Sequence, residues 1–331
     1  RIFPSRPLPA SQQPFRFTEA SSPTSSALKS LNLTRLDSVL QATPTVAFLI
    51  IRNDSLLFEQ YFRKYEASST VASFSMAKSY TSALIGIAIQ EGHIRSVDDK
   101  ITDYITELSD KPGFDKITVR HLLQMTSGIR SNESYYNPFG QAARIYYGRR
   151  LRQYLRRLRT DYAPGTRFAY RSINTQLLGL IVERATKRSV TEYLDEKLWQ
   201  PMSMEHDASW SIDRKKNGLE KTFCCLNAKA RDFAKFGRLY LKRGNWNGKQ
   251  LVPEDWVEAS TRIDTTAGSA WFYQYQWWIT NKQQRNYEAN GLHGQYVYVC
   301  PSKNLVIVRL GKENGKNMNW ERLFENIAAK M

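Results

Sequence analysis

Ser75-Met76-Ala77-Lys78 sets a hydroxyl and an amine three residues apart. On a helix, residues i and i+3 share a face, so the amine reaches the serine oxygen. A serine hydroxyl is a poor nucleophile until a neighbouring base takes its proton. A helix start adds free backbone N–H groups and a positive dipole end, both favourable to an oxyanion. The chemistry on offer is acyl transfer, with Ser75 as nucleophile and Lys78 handling its proton. The plainer reading of Lys78 is a structural lysine at a helix rim. The same spacing recurs at Ser26-Ala27-Leu28-Lys29, but Ser26 lies in a polar run. Ser75 instead opens the most apolar helical stretch, where a lysine is costly unless its charge is paired or neutralised.

Two further segments carry candidates. Tyr170 follows the turn Pro164-Gly165-Thr166 and precedes an apolar helix. A phenol there acts as acid or base if a nearby ammonium lowers its pKa; alone, it reads as a core aromatic. In "YEANGLHGQYVYV", Gly291 and Gly294 stand at a strand entrance, where glycine lets a backbone or ligand come close. An N–H beside such a glycine would be a second oxyanion donor, and an ordinary hairpin is the alternative.

The elements that must position these groups are legible as patterns. "TVAFLIIRNDSLLFEQYF", Thr45 to Phe62, reads as a hairpin turning at Asn53-Asp54-Ser55. "QYVYVCPSKNLVIVRLG" repeats strand, turn, strand near the other end. "NWERLFENIAAKM" then closes as an amphipathic helix, apolar at Leu323, Phe324, Ile327 and Ala328. Between them "SMAKSYTSALIGIAIQEG", "TVRHLLQMTSG", "INTQLLGLIVERAT" and "ARDFAKFGRLYLKRG" read as helices, with Gly92, Gly128 and Gly244 placed to end three of them. The expected fold class is α/β: an antiparallel sheet built from both chain ends and flanked by helices, with a mainly helical subdomain inserted. Residues 31–331 are expected to form one domain, its α/β part about 31–80 and 250–331 and its helical part about 81–249. Residues 1–30, rich in Ser, Pro and Gln, read as a polar tail or tether. The chain opens at Arg1 rather than Met, so a processed product is expected. Export to the periplasm or cell envelope fits that tail, with the cytoplasm as the alternative.

Composition narrows the classes. With 331 residues and 41% hydrophobic content, the chain has enough for a sizeable core. Forty-eight Lys and Arg against 31 Asp and Glu leave a net charge of +17. Nucleic acid or another polyanion would suit that charge, and general solubility is the plainer reading. Arg149, Arg152, Arg156 and Arg159 share one helical face with no interleaved aromatics, and Leu151, Leu155 and Leu158 share another. That is an ordinary amphipathic surface helix, so no nucleic-acid partner is expected. Cys224, Cys225 and Cys300 read as buried small apolar residues. His93, His121, His206 and His293 are scattered without ligand spacing, so no metal or other cofactor is expected. No apolar run is long enough for a transmembrane segment.

"SMAK", "ITVRHLLQMTSGI", "PGTRFAYRSINTQLLG", "ARDFAKFGRLYL" and "WNGKQLVPEDWV", in that order, resemble the β-lactamase-related serine hydrolases. That family holds class C β-lactamases, D-alanyl-D-alanine carboxypeptidases, esterases and nylon-oligomer hydrolases. The resemblance runs from about residue 45 to the C-terminus. It implies acylation at Ser75, proton transfer by Lys78 and Tyr170, and an oxyanion hole from the N–H groups of Ser75 and Leu292. Class C enzymes carry Tyr-x-Asn where this chain has Tyr170-Arg171-Ser172, a form similar to the nylon-oligomer branch. The family's Lys-Thr-Gly strand motif falls on Ala289-Asn290-Gly291, or in another register puts His293 in the lysine's place. Either way the lysine that holds a β-lactam or peptide carboxylate is absent, so efficient β-lactam hydrolysis is not expected. "SNESYYNP" resembles the Glu-x-Tyr stretch bordering the nylon-oligomer pocket, which implies a cleft position for Tyr135. Asn227 is a second cleft candidate, and buried structural roles are the alternative for both. The expected activity is cleavage of a small ester, amide or peptide through an acyl-enzyme. The rival is a protein that binds or acylates once without turnover. Trp271, Tyr273, Trp277 and Trp278 read equally as core or cleft.

Overall fold

Apolar runs from the two ends of the chain pair at the centre of the main sheet. The computed structural model describes residues 3–19, 36–134, 137 and 140–331. Strand β3 (Thr45–Arg52) is hydrogen-bonded on one side to β4 (Ser55–Tyr61) and on the other to β14 (Leu305–Gly311). Asn53 and Asp54 both take positive φ (51° and 60°), as a two-residue turn matched to strand twist requires. The sheet continues through β13 (Gln295–Cys300), β12 (Tyr287–Gly291), β11 (Trp277–Ile279) and β10 (Tyr273–Gln274). Its order is β10-β11-β12-β13-β14-β3-β4-β2, antiparallel except where β2 (Thr18–Glu19) runs parallel to β4.

Side chains alternate between two buried faces, which is why these strands read as nearly continuous apolar runs. Helices of seven residues or more are numbered in order. Phe48, Ile50, Tyr298 and Ile307 pack with α1 (Leu36–Ala42) and the C-terminal α7 (Trp320–Ala329). Leu49, Ile51, Val297 and Val308 face the larger core. There lie α2 (Ala77–Gln90), α4 (Ser172–Thr186) and α5 (Ala230–Leu241), with α3 (Gln141–Tyr147) and α6 (Glu254–Thr261) further out. Helix α5 sits close on the sheet because Gly237 has no Cβ, which would lie 2.7 Å from Val297 Cγ1.

A second sheet, in the order β1-β6-β7-β5, holds the approach to Ser75. It joins β1 (Ser5–Leu8), β6 (Ala208–Ser211), β7 (Leu226–Ala228) and β5 (Val71–Ala72). A small hairpin, β8 (Asn245–Trp246) and β9 (Lys249–Gln250), stands apart. The inserted part is therefore not purely helical.

Four expectations differ from what is seen. The opening segment is not wholly a polar tail: residues 5–8 form an edge strand and Leu8 and Phe17 are buried. Arg6 pairs there with the fully buried Glu220, and Pro7 is tolerated because an edge strand leaves one side unbonded. The helix expected to reach Gly128 stops after Val119–Leu123, where Met125 turns left-handed. Its Thr118 cap accepts from the His121 N–H. The Arg-rich helix is also short, Leu151–Leu155, though Leu151, Leu155 and Leu158 are buried and Arg152 reaches Glu183 at 2.7 Å. Finally, Cys224 and Cys225 are not free apolar thiols but are joined in a disulfide, with Cys300 alone free and buried. No described helix is long and apolar enough to cross a membrane, and no described cluster of His, Cys, Asp or Glu has the form of a metal site.

Candidate active site

Strand β5 delivers the chain to Ser75. Ser73 N–H donates to the Leu226 carbonyl at 2.8 Å, and a 3₁₀ turn, Phe74–Met76, follows and runs into α2. Phe74 is held at φ 45°, a conformation that L-residues adopt only under external constraint. Ser75 itself stays partly exposed. Gly291 supplies part of the constraint. A methyl at that position would lie 2.3 Å from the Ser73 carbonyl oxygen and 3.1 Å from Ser75 N, so only glycine lets β12 come this near.

Lys78, in the first turn of α2, points back to Ser75 with Nζ 2.9 Å from Oγ. Its Nζ also donates to the Phe223 carbonyl at 3.0 Å. The side chain is essentially buried at 1% exposure. Burial lowers its pKa to about 8, with the Glu133 carboxylate opposing that shift. A neutral Lys78 can therefore accept the Ser75 proton across the same 2.9 Å contact.

Tyr170 stands close enough to Ser75 for the serine to act on its phenol, and its ring centroid lies 5.0 Å from Lys78 Nζ. Burial is the main influence on its phenol and pushes its pKa above the ordinary 10, opposite to the lowering that an ammonium neighbour was expected to cause. At neutral pH the Tyr170 phenol therefore keeps its proton. Tyr273 meets its ring edge-on at 5.6 Å and Trp278 packs at 5.4 Å. Of the aromatics left open by sequence, Tyr273 and Trp277 are core, while Trp278 braces the site.

Ser172 lies two residues beyond Tyr170 at the start of α4, lines the cavity, and is already engaged. Its N–H donates to Glu133 Oε2 at 2.9 Å and its hydroxyl donates to Oε1. Glu133 thereby sits at the positive end of a 15-residue helix and acts electrostatically on both Lys78 and Tyr170. Sequence reasoning missed Glu133 as a site residue, although it heads the Glu-x-Tyr stretch used to single out Tyr135. Tyr135 lies outside the described residues.

A cavity of about 750 Å³ opens over Ser75. Phe74, Ile145, Tyr146, Phe223 and Leu292 form apolar walls, and Glu133, Ser172, His293, Glu313 and Asn314 add polar ones. The β12–β13 hairpin pairs Gly291 with Gln295, so Ala289-Asn290-Gly291 is the strand and His293 belongs to the turn. Leu292 is 41% exposed at the mouth, and the His293 ring meets Phe74 edge-on at 5.0 Å. Asn227 is not brought to the cavity. Its amide donates to the carbonyls of Ser209 (3.1 Å) and Cys225 (3.0 Å) and to Ser211 Oγ, which uses it up inside the smaller sheet.

Known proteins match this chain over nearly its whole length. The Beta-lactamase family model matches residues 33–330. A 6-aminohexanoate-dimer hydrolase of Paenarthrobacter ureafaciens is 31% identical over 296 residues, covering 83% of this chain and 74% of that protein. A solved Bacillus anthracis structure, provisionally named a 6-aminohexanoate-dimer hydrolase, superposes with a TM-score of 0.85 at 25% identity, covering 99% of this chain and 90% of that one. A family VIII carboxylesterase shares the fold with a TM-score of 0.71 at 14% identity, covering 93% and 99%. The chain belongs to the beta-lactamase family.

Proposed function

We propose that this protein is a serine hydrolase that cleaves a small ester or amide through an acyl-enzyme on Ser75. The observation that carries this reading is the 2.9 Å contact between Ser75 Oγ and a buried Lys78 whose pKa is about 8. Neutral Lys78 takes the Ser75 proton as Oγ attacks the substrate carbonyl. The tetrahedral oxyanion is received by the N–H groups of Ser75 and Leu292, a pair of donors each worth about 2.7–4 kcal/mol in other hydrolases. As the carbonyl reforms, the scissile bond breaks. The proton passes from Lys78 through the Tyr170 hydroxyl to the departing alkoxide or amine. Water, deprotonated by the same pair, then attacks the acyl-enzyme and restores Ser75.

Neutral or amine-bearing substrates fit better than carboxylates. The position of the family's lysine is the buried Ala289, and the cavity carries the carboxylates Glu133 and Glu313. Both features count against efficient β-lactam hydrolysis. Export is part of the same reading, because a Cys224–Cys225 disulfide persists most readily in an oxidising compartment. Intact-mass measurement after incubation with a fluorophosphonate, beside turnover of p-nitrophenyl esters, tests the nucleophile. One adduct that disappears in Ser75→Ala, together with ester turnover in the parent, is the expected result. An adduct without turnover would favour the single-acylation alternative, and comparable turnover in Ser75→Ala would end the assignment.

A further inference from the structure

In the segment Thr222-Phe223-Cys224-Cys225 the two middle residues line the cavity over Ser75, and all four carbonyls are in use. Thr222 O accepts from Thr81 Oγ1 at 3.2 Å and Phe223 O accepts from Lys78 Nζ at 3.0 Å, so two of them hold α2. Cys224 O accepts from Trp210 Nε1 at 2.9 Å, and Cys225 O accepts from the Ser211 N–H at 3.0 Å, so the other two hold the smaller sheet. The bond between adjacent cysteines closes a small ring through their shared peptide, which fixes the backbone torsions on either side of it. Cys225 sits inside that ring at φ 70°, left-handed backbone that a non-glycine residue leaves unless held. Cys224 is buried at 3% exposure yet lines the cavity, so the substrate's route is the side from which a small reagent approaches it.

We infer that the Cys224–Cys225 disulfide is a redox modification site that sets the position of the catalytic lysine. Attack by the thiolate of a small dithiol on one sulfur breaks the S–S bond and leaves a mixed disulfide. The reagent's second thiol resolves it. Two electrons and two protons pass to the protein, giving two cysteine thiols, and the reagent leaves as its cyclic disulfide. With the ring open, Cys225 relaxes out of the left-handed region and the neighbouring peptide units turn. The Phe223 carbonyl is one residue from the ring, so Lys78 loses an acceptor that fixes its amine beside Ser75. The oxidised form is the competent one. The regulatory part of this inference rests on Lys78 acting as the base for Ser75.

The test uses the full chain, oxidised or treated with dithiothreitol and desalted without air. Thiols are counted by N-ethylmaleimide mass addition after denaturation, and the fluorophosphonate labelling rate of Ser75 is measured on the native forms. The expected counts are one thiol (Cys300) before reduction and three after. Labelling should slow by about tenfold or more on reduction, a fraction of what general-base catalysis supplies, and return on reoxidation. Cys225→Ser cannot form the ring, so its labelling rate should be the same with and without reductant. Three thiols before any reductant would overturn the site. Equal labelling rates in verified one-thiol and three-thiol forms would overturn the control. Labelling of neither form, with counts of one and three, would sink the serine mechanism and the control with it while supporting the redox site itself.

Discussion

The pKa of about 8 assigned to Lys78 makes the pH dependence of acylation a direct reading of the site. An ordinary lysine at 10.5 would have about one amine in 3,000 neutral at pH 7, whereas one at about 8 has about one in ten. Burial therefore raises the supply of free base by about 300-fold at neutral pH. The second-order rate constant for fluorophosphonate labelling should rise about tenfold per pH unit below 7, bend near 8 and level off above 9. Labelling followed by intact mass from pH 5.5 to 9.5 measures the free enzyme and avoids spontaneous ester hydrolysis. Lys78→Arg, which stays charged throughout, should lose roughly 10²–10⁴-fold at the plateau. A profile flat from pH 6 to 9 would refute the assignment of the base. So would a bend a full unit or more below 8, which would transfer the titration to a group other than Lys78.

Glu133→Gln removes the carboxylate that opposes the fall in the Lys78 pKa, so the bend should move to lower pH; an unmoved bend would show that Glu133 acts only through Ser172. Gly291→Ala drives a methyl to 2.3 Å from the Ser73 carbonyl oxygen, and it should slow labelling and cost about 1–3 kcal/mol in denaturant titrations. Glu288 is fully buried, with Oε2 unbonded, and burial raises its pKa well above 4.5. A carboxyl raised in the folded state stabilises below its unfolded value and loses that contribution as pH rises towards the folded one. The loss amounts to about 1.4 kcal/mol per pH unit above 4.5. Glu288→Gln should therefore raise Tm at pH 8 but not at pH 4.5, and an equal shift at both would contradict the protonated-carboxyl account.

Local rules carried much of the architecture. The Ser75–Lys78 pair was readable because i and i+3 meet on any helix start, and the hairpin because Asn53-Asp54 suits a positive-φ turn. The strands were readable because both faces are buried. Chain order placed Tyr170 ahead of an apolar helix, and resemblance made it a partner of Ser75. What escaped were effects of distance along the chain. Glu133 reaches Ser172 from 39 residues away. The opening segment docks because Arg6 finds Glu220, 214 residues on. Asn227 looked like a cleft residue until the smaller sheet claimed its amide. The cysteine pair looked apolar because neighbours in sequence are rarely cross-linked.

By itself, then, the sequence determined the pairing of Ser75 with Lys78, the strand-and-helix alternation and the sheet joining both chain ends. All of these rest on contacts a few residues apart or on alternation between buried faces. Only the tertiary structure decided the protonation chemistry: that the Lys78 pKa falls to about 8 and that the Tyr170 phenol is pushed above its ordinary value. Desolvation lowers the one and raises the other, and the field of Glu133 raises both; each exists only once distant segments close around the two side chains.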